Sequence, residues 1–169
     1  MTAGLVIRQE GEGERLWFAG GGVFTMKASA ADTDGAFTLF EDQVERGKST
    51  PLHLHPHEDE TIYVLAGEIL VSADGQEHRV GQGGVVVAPR GLPHAFLVTS
   101  ETARLLCLQT PGTGEAFYRE ASEPSESDED FRRPPDFVRL QAAAERSGTI
   151  ELLGPPPFAQ LDETRAAPA

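Results

Sequence analysis

Gly47-Lys-Ser-Thr-Pro-Leu-His-Leu-His-Pro-His-Glu-Asp-Glu-Thr-Ile-Tyr-Val-Leu-Ala-Gly67 is the stretch that decides how this chain folds. Successive side chains of a strand point to opposite faces, so Glu60, Ile62 and Val64 share one face and Thr61, Tyr63 and Leu65 the other. By the same alternation His53 and His55 point the same way, and Pro51 and Pro56 on either side limit the backbone freedom of the pair. An acid on the apolar face of a strand needs a partner, because an unpaired carboxylate there is costly to bury. Further on, His94 opens a strand with Phe96 and Val98 on its own face, which reads as a second inward face carrying one imidazole.

Outward from this centre the pattern repeats. Short apolar or alternating runs, Leu16–Phe18, Val23–Ala28, Ala36–Val44, Glu60–Leu65, Ile69–Ala73, Glu77–Val80, Val85–Ala88, His94–Val98 and Ala103–Gln109, are each closed by Gly, Pro, Asp or Ser, the signature of an all-β domain. Asp74-Gly75 predicts a tight hairpin between two of these runs, since a turn matching strand twist requires positive φ. Gly67 and Pro89-Arg-Gly91 punctuate the others. After Gln109 the character changes. Glu115–Ala121 has the content of a short helix, Glu120–Asp130 carries six acids and reads as mobile and solvated, and Asp136–Ser147 reads as a helix stopped by Gly148. The expected division is an N-terminal segment 1–15, a β-barrel 16–110, and a C-terminal linker, acidic loop and helical extension 111–169.

Composition narrows the function. The 169 residues carry a formal net charge of −13, which disfavours nucleic acid and anionic membranes as partners. No segment approaches the roughly 20 apolar residues of a membrane span, and the N-terminus lacks the basic and apolar regions of a secretory signal, so a cytoplasmic location is expected. The single cysteine, Cys107, lies among Leu105, Leu106 and Leu108 and is expected to be a buried strand thiol. One divalent metal ion would satisfy His53, His55, Glu60 and His94 together. Three imidazoles and one carboxylate suit Mn, Fe, Co, Ni, Cu or Zn better than Mg²⁺ or Ca²⁺, which prefer mostly oxygen ligands.

The run from Gly47 through His53, His55 and Glu60 to Gly67 resembles the first conserved motif of the cupin superfamily. The run Gly83, Pro89-Arg-Gly91 and His94 resembles the second, across a gap of fifteen residues, Glu68–Gln82. The asparagine often found four residues after the last histidine is Val98 here, a position that is not a ligand. The resemblance implies a conical jelly-roll barrel (double-stranded β-helix), a metal held by His53, His55, Glu60 and His94, and a homodimer. The single barrel and C-terminal extension look like those of bacterial quercetin dioxygenase-like monocupins, which implies a metal-dependent dioxygenase opening a flavonol or related enolisable aromatic with dioxygen. Glu60 would then be ligand and catalytic base. The alternatives are a non-oxidative isomerase, cyclase or decarboxylase in natural-product metabolism, or a non-catalytic small-molecule-binding barrel. Strand parity proposes Phe37, Leu39, Ile62, Val64, Phe96 and Val98 as the substrate-facing wall. His57 and His78 are expected in solvent, and Tyr63 on the face away from Glu60.

Overall fold

The computed structural model describes residues 4–158. The nine predicted runs form strands, and the segment carrying His53 adds a short tenth: β1 (Glu14–Phe18), β2 (Val23–Ala28), β3 (Thr38–Glu45), β4 (Leu52–Leu54, the addition), β5 (Asp59–Ala66), β6 (Glu68–Ala73), β7 (Gln76–Gly81), β8 (Val85–Ala88), β9 (His94–Val98) and β10 (Thr102–Thr110). Helix α1 (Glu115–Glu120), β11 (Ser122–Pro124), helix α2 (Phe137–Ser147) and β12 (Glu151–Gly154) follow. The strands make two antiparallel sheets, ordered β11-β1-β2-β3-β10-β5-β8 and β12-β4-β9-β6-β7. From β3 onward the chain passes repeatedly between them, and the inward faces of both meet in one core.

Local chemistry explains the crossings. Asp74 and Gly75 both have positive φ, 52° and 71°, and join β6 to β7 with Ala73 opposite Gln76, the hairpin the sequence predicts. Gly67, at φ 82°, turns the chain out of β5 into the other sheet, and any side chain there would run into the Thr102 carbonyl oxygen. β5 alternates as expected: Glu60, Ile62 and Val64 are buried while Tyr63 is exposed. β9 is buried on both faces, with Phe96 and Val98 in the main core and Ala95 and Leu97 packed with Leu70 and Phe158. Helix α2 begins at Asp136, whose carboxylate accepts the Arg139 amide hydrogen at 3.0 Å, and ends at Gly148 in the left-handed region. It buries Leu140, Ala143 and Ala144, a spacing of one helical face.

The acidic stretch is solvated over Glu126–Glu129, as expected, but its first part is structured. β11 pairs with β1, placing Ser122 opposite Phe18, and Glu123 is gripped by Arg133 and Arg139 at 2.8 and 2.7 Å. Phe131 just beyond is buried. β12 escaped the sequence pattern altogether, yet it places Leu152 opposite His53 and completes the sheet that carries the histidines. No helix among the described residues is long and apolar enough to cross a membrane.

Candidate metal centre

β4 and β9 run antiparallel with His53 directly opposite His94, so both imidazoles stand on the same face with ring centroids 4.4 Å apart. His55, just past β4, brings a third ring within 5.2 Å of His53 and 5.8 Å of His94. Glu60 arrives from β5 of the other sheet. One donor atom from each of the four lies within 4.8 Å of all the others, and all four side chains are buried. The two segments are pinned to each other: the Gly91 amide donates to the His55 carbonyl at 2.8 Å, and the Arg90 guanidinium donates to both oxygens of Asp59, next to Glu60.

Hydrogen bonds orient the rings. His53 Nδ1 lies 2.8 Å from the Pro51 carbonyl oxygen and His94 Nδ1 lies 2.9 Å from that of Leu92, which leaves both Nε2 atoms aimed at the centre. Neither nitrogen of His55 has a hydrogen-bond partner among the described residues. A buried imidazole without a partner is costly, and a cation in the cluster would remove that cost. The donor set, borderline nitrogen with one carboxylate, fits a divalent transition metal ion.

The electrostatics agree. Burial, reinforced by the neighbouring imidazoles, pushes His53 down to about 3, and burial also lowers His55, so both are neutral lone-pair donors at physiological pH. Burial alone would raise the Glu60 carboxyl. The hydrogen bond from His94 and the facing imidazoles outweigh it and hold Glu60 well below the usual carboxylate range. His94 is the exception: burial lowers it, but the contact with Glu60 prevails and raises it.

Beside the cluster lies a cavity of about 50 Å³ walled by Phe18, Phe24, Phe40, Phe96, Phe117 and Ile62, with Leu140, Ile150 and Leu152 also in its lining. Of the six wall residues proposed from parity, Ile62 and Phe96 line it. Val64 and Val98 are buried in the core and do not reach it. Phe37 and Leu39 face the other way, into a surface cleft shared with Leu5 and Val6, because β3 buries Thr38, Phe40, Asp42 and Val44 instead. Cys107 lines the cavity from β10, its thiol pushed well up by burial. His57 and His78 are exposed, as expected.

Several residues near the centre escaped sequence reasoning. Gln109 Nε2 donates to Glu60 Oε1 at 3.2 Å and to the Tyr118 hydroxyl at 2.6 Å, and that hydroxyl lies 3.3 Å from the same carboxylate oxygen. Gln109 was findable, since it extends the inward parity of Ala103, Leu105 and Cys107 with a polar group. Tyr118 sits on α1 and had no signal in the strand pattern. Glu58, fully buried, accepts the Thr113 hydroxyl proton. Asp42 and Lys48 form a buried ion pair at 2.9 Å on the cavity wall.

A barrel of two antiparallel sheets with three histidines and a glutamate clustered inside defines the class, and the chain belongs to the cupin superfamily. Residues 40–109 match the family described as Cupin domain. An uncharacterized protein of Streptomyces coelicolor is 30% identical over 96 residues, covering 51% of this chain and 90% of that protein. Quercetin 2,3-dioxygenase of Bacillus subtilis is 28% identical over 120 residues, covering 71% of this chain but only 35% of the dioxygenase. The crystal structure of an RmlC-like cupin from Shewanella frigidimarina superimposes with a TM-score of 0.56 at 18% identity, covering 66% of this chain and 95% of that one, a likeness of fold.

Proposed function

We propose that His53, His55, Glu60 and His94 hold one divalent transition metal ion, and that the cavity beside them takes a small enolisable substrate for oxidative cleavage with dioxygen. The observation that carries the reading is the position of Glu60. It is a buried carboxylate at the edge of an aromatic-walled cavity, with one oxygen turned to His94 and the other held by Gln109 and Tyr118. The likeness to quercetin 2,3-dioxygenase supports the oxidative chemistry.

When bound, the ion supplies Lewis acidity that lowers the pKa of a coordinated hydroxyl. The rest is done by the chain's own residues. Glu60 is the carboxylate placed to accept the proton of the substrate hydroxyl, and because its own pKa is depressed it is a weak base that serves only a strongly acidified hydroxyl. Gln109 and Tyr118 keep Oε1 oriented, and Tyr118 remains a donor because burial and the nearby Glu60 raise its hydroxyl well above its ordinary range. The phenylalanine wall excludes bulk water and presents flat apolar surface to a planar ligand. The same reading takes the protein as a cytoplasmic homodimer acting on a small molecule. Val85 and Val87 on edge strand β8, 57% and 61% exposed, support a contact between copies.

Cavity size favours a second reading. One water needs roughly 10–15 Å³ on this measure, so about 50 Å³ holds a few waters and a flavonol enters only if the walls move apart. A smaller enolisable substrate, turned over without oxygen, fits with less displacement. The test is metal analysis of the purified protein, reconstitution with Mn, Fe, Co, Ni, Cu and Zn in turn, and an oxygen-electrode screen of flavonols and single-ring enols. Oxygen uptake abolished by Glu60→Gln is the expected result. Anaerobic turnover selects the non-oxidative reading, binding without turnover selects a binding barrel, and unchanged turnover by Glu60→Gln overturns Glu60 as base.

A further inference from the structure

Lys48 is an unusual residue to find inside this barrel. Its backbone is clamped on both sides of one residue, with the Gly47 amide donating to the Val98 carbonyl at 3.0 Å and the Val98 amide donating to the Lys48 carbonyl at 2.9 Å. That clamp sends the side chain inward, where it is only 5% exposed. The ammonium donates to Asp42 Oδ2 at 2.9 Å, its one hydrogen-bond partner among the described residues. An ammonium carries three donors. For the other two there is no acceptor among the described residues, only the Phe96 and Phe18 rings, whose centroids lie 4.8 and 5.9 Å from the nitrogen. Asp42 is half satisfied as well, since Oδ1 is buried without a partner.

A buried ion pair is weak evidence for stability, because taking both charges out of water offsets their attraction and an apolar pair of similar volume often serves as well. A pair that also leaves donors unspent toward a cavity is better explained by a ligand. The register shows where that ligand's end would lie. Glu60 stands in the cross-strand row of Gln109 and Thr38, whereas Asp42 stands in the row of Leu105 and Val64. The rows are four residues apart along β10, roughly 13 Å between backbones. The cavity therefore has two polar ends, Glu60 with His53 at one and Lys48 with Asp42 at the other, and an aromatic middle.

We infer that Lys48, oriented by Asp42, is a substrate-binding cation, and that the substrate is a single-ring enol carrying a carboxylate or comparable anionic acceptor at the end remote from Glu60. The inference rests on the proposed function for the enol end and is independent of it for the anionic end. Lys48 satisfies the anion with its unspent donors, Phe18 and Phe96 flank the ring, and a single ring demands the least displacement of the cavity walls.

The test is calorimetric titration with two probes, comenic acid, a hydroxypyranone with a carboxylate across the ring, and pyromeconic acid, the same ring without it. Both are titrated into metal-replete and chelator-stripped protein. Wild-type protein is expected to prefer comenic acid by about tenfold in both forms, the scale of one charge-assisted hydrogen bond. Lys48→Met alone strands a buried carboxylate and threatens the fold, so the informative variant is Lys48→Met with Asp42→Asn, checked for unchanged melting and metal content. It is expected to bind the two probes within about twofold of each other, and Lys48→Arg to keep the preference. Absence of the preference in wild-type protein, its survival in the double variant, or no detectable binding of comenic acid overturns the inference. A preserved preference with no gain in affinity on adding metal overturns the metal reading and leaves the Lys48 site standing.

Discussion

His94 Nε2 lies 3.0 Å from Glu60 Oε2 while its Nδ1 lies 2.9 Å from the Leu92 carbonyl oxygen, so both ring nitrogens face acceptors. Only the imidazolium can donate to both. The raised pKa of His94 agrees, the contact with Glu60 outweighing burial.

A proton inventory follows. His53 and His55 are already neutral, Glu60 is already ionised, and His94, raised by Glu60, must shed its Nε2 proton to offer a lone pair. At pH 6, below the raised His94 value, metal uptake is expected to release about one proton. As the pH rises through that value the release declines toward zero, because the apo protein has already lost the proton. Calorimetric titration of metal in buffers of different ionisation enthalpy measures the number. Release of two or more protons at pH 6, or none, contradicts this assignment.

Gln109 and Tyr118 test how Glu60 is held. Gln109→Met removes the donor at 3.2 Å with little change in volume, and metal affinity is expected to drop about 10–100-fold. Tyr118→Phe removes a second contact to the same oxygen, at 3.3 Å, and should weaken metal binding in the same direction. Competition against a chromophoric chelator gives both affinities. Wild-type affinity in Gln109→Met would remove Gln109 from the site.

The parity of β3 gives a paired comparison. Phe37→Ala and Leu39→Ala, on the surface cleft, are expected to leave ligand affinity at the metal-side cavity unchanged. Ile62→Ala opens that cavity and costs about 2–5 kcal/mol of stability, because a buried side chain is lost and the gap only partly collapses. Titration of the single-ring probes and urea unfolding read the two effects. A loss of affinity in Leu39→Ala would show that the cleft and the cavity communicate.

Two glycines separate conformational strain from steric overlap. Gly75→Ala places a methyl in open space at φ 71° and should cost about 1–2 kcal/mol, the penalty of the left-handed conformation alone. Gly67→Ala adds overlap with the Thr102 carbonyl, backbone that cannot swing away, and should cost clearly more. Equal midpoints in urea would mean that the crossing at Gly67 has room to relax.

Much of this molecule was legible one strand at a time. The alternation in β5, the Asp74-Gly75 turn and the boundaries of α2 rest on local rules, so sequence and structure agree there. β3 shows where local rules stop. Phe37, Leu39, Glu41 and Gln43 form one face and Thr38, Phe40, Asp42 and Val44 the other, each with two apolar and two polar residues. Pairing with β10, which sets Phe40 against Cys107 and Val44 against Ala103, buries the second set. Burying that set put Asp42 inside, where it needed Lys48.

The sequence by itself determined an all-β barrel and brought three histidines and Glu60 into consideration as one cluster, because strand period and turn chemistry act over a few residues. Only the tertiary structure decided what surrounds Glu60 and what lies across from it. Gln109, Tyr118, Asp42 and Lys48 reach the interior through strand register, helix docking and a backbone clamp, and these depend on contacts between segments far apart in the chain.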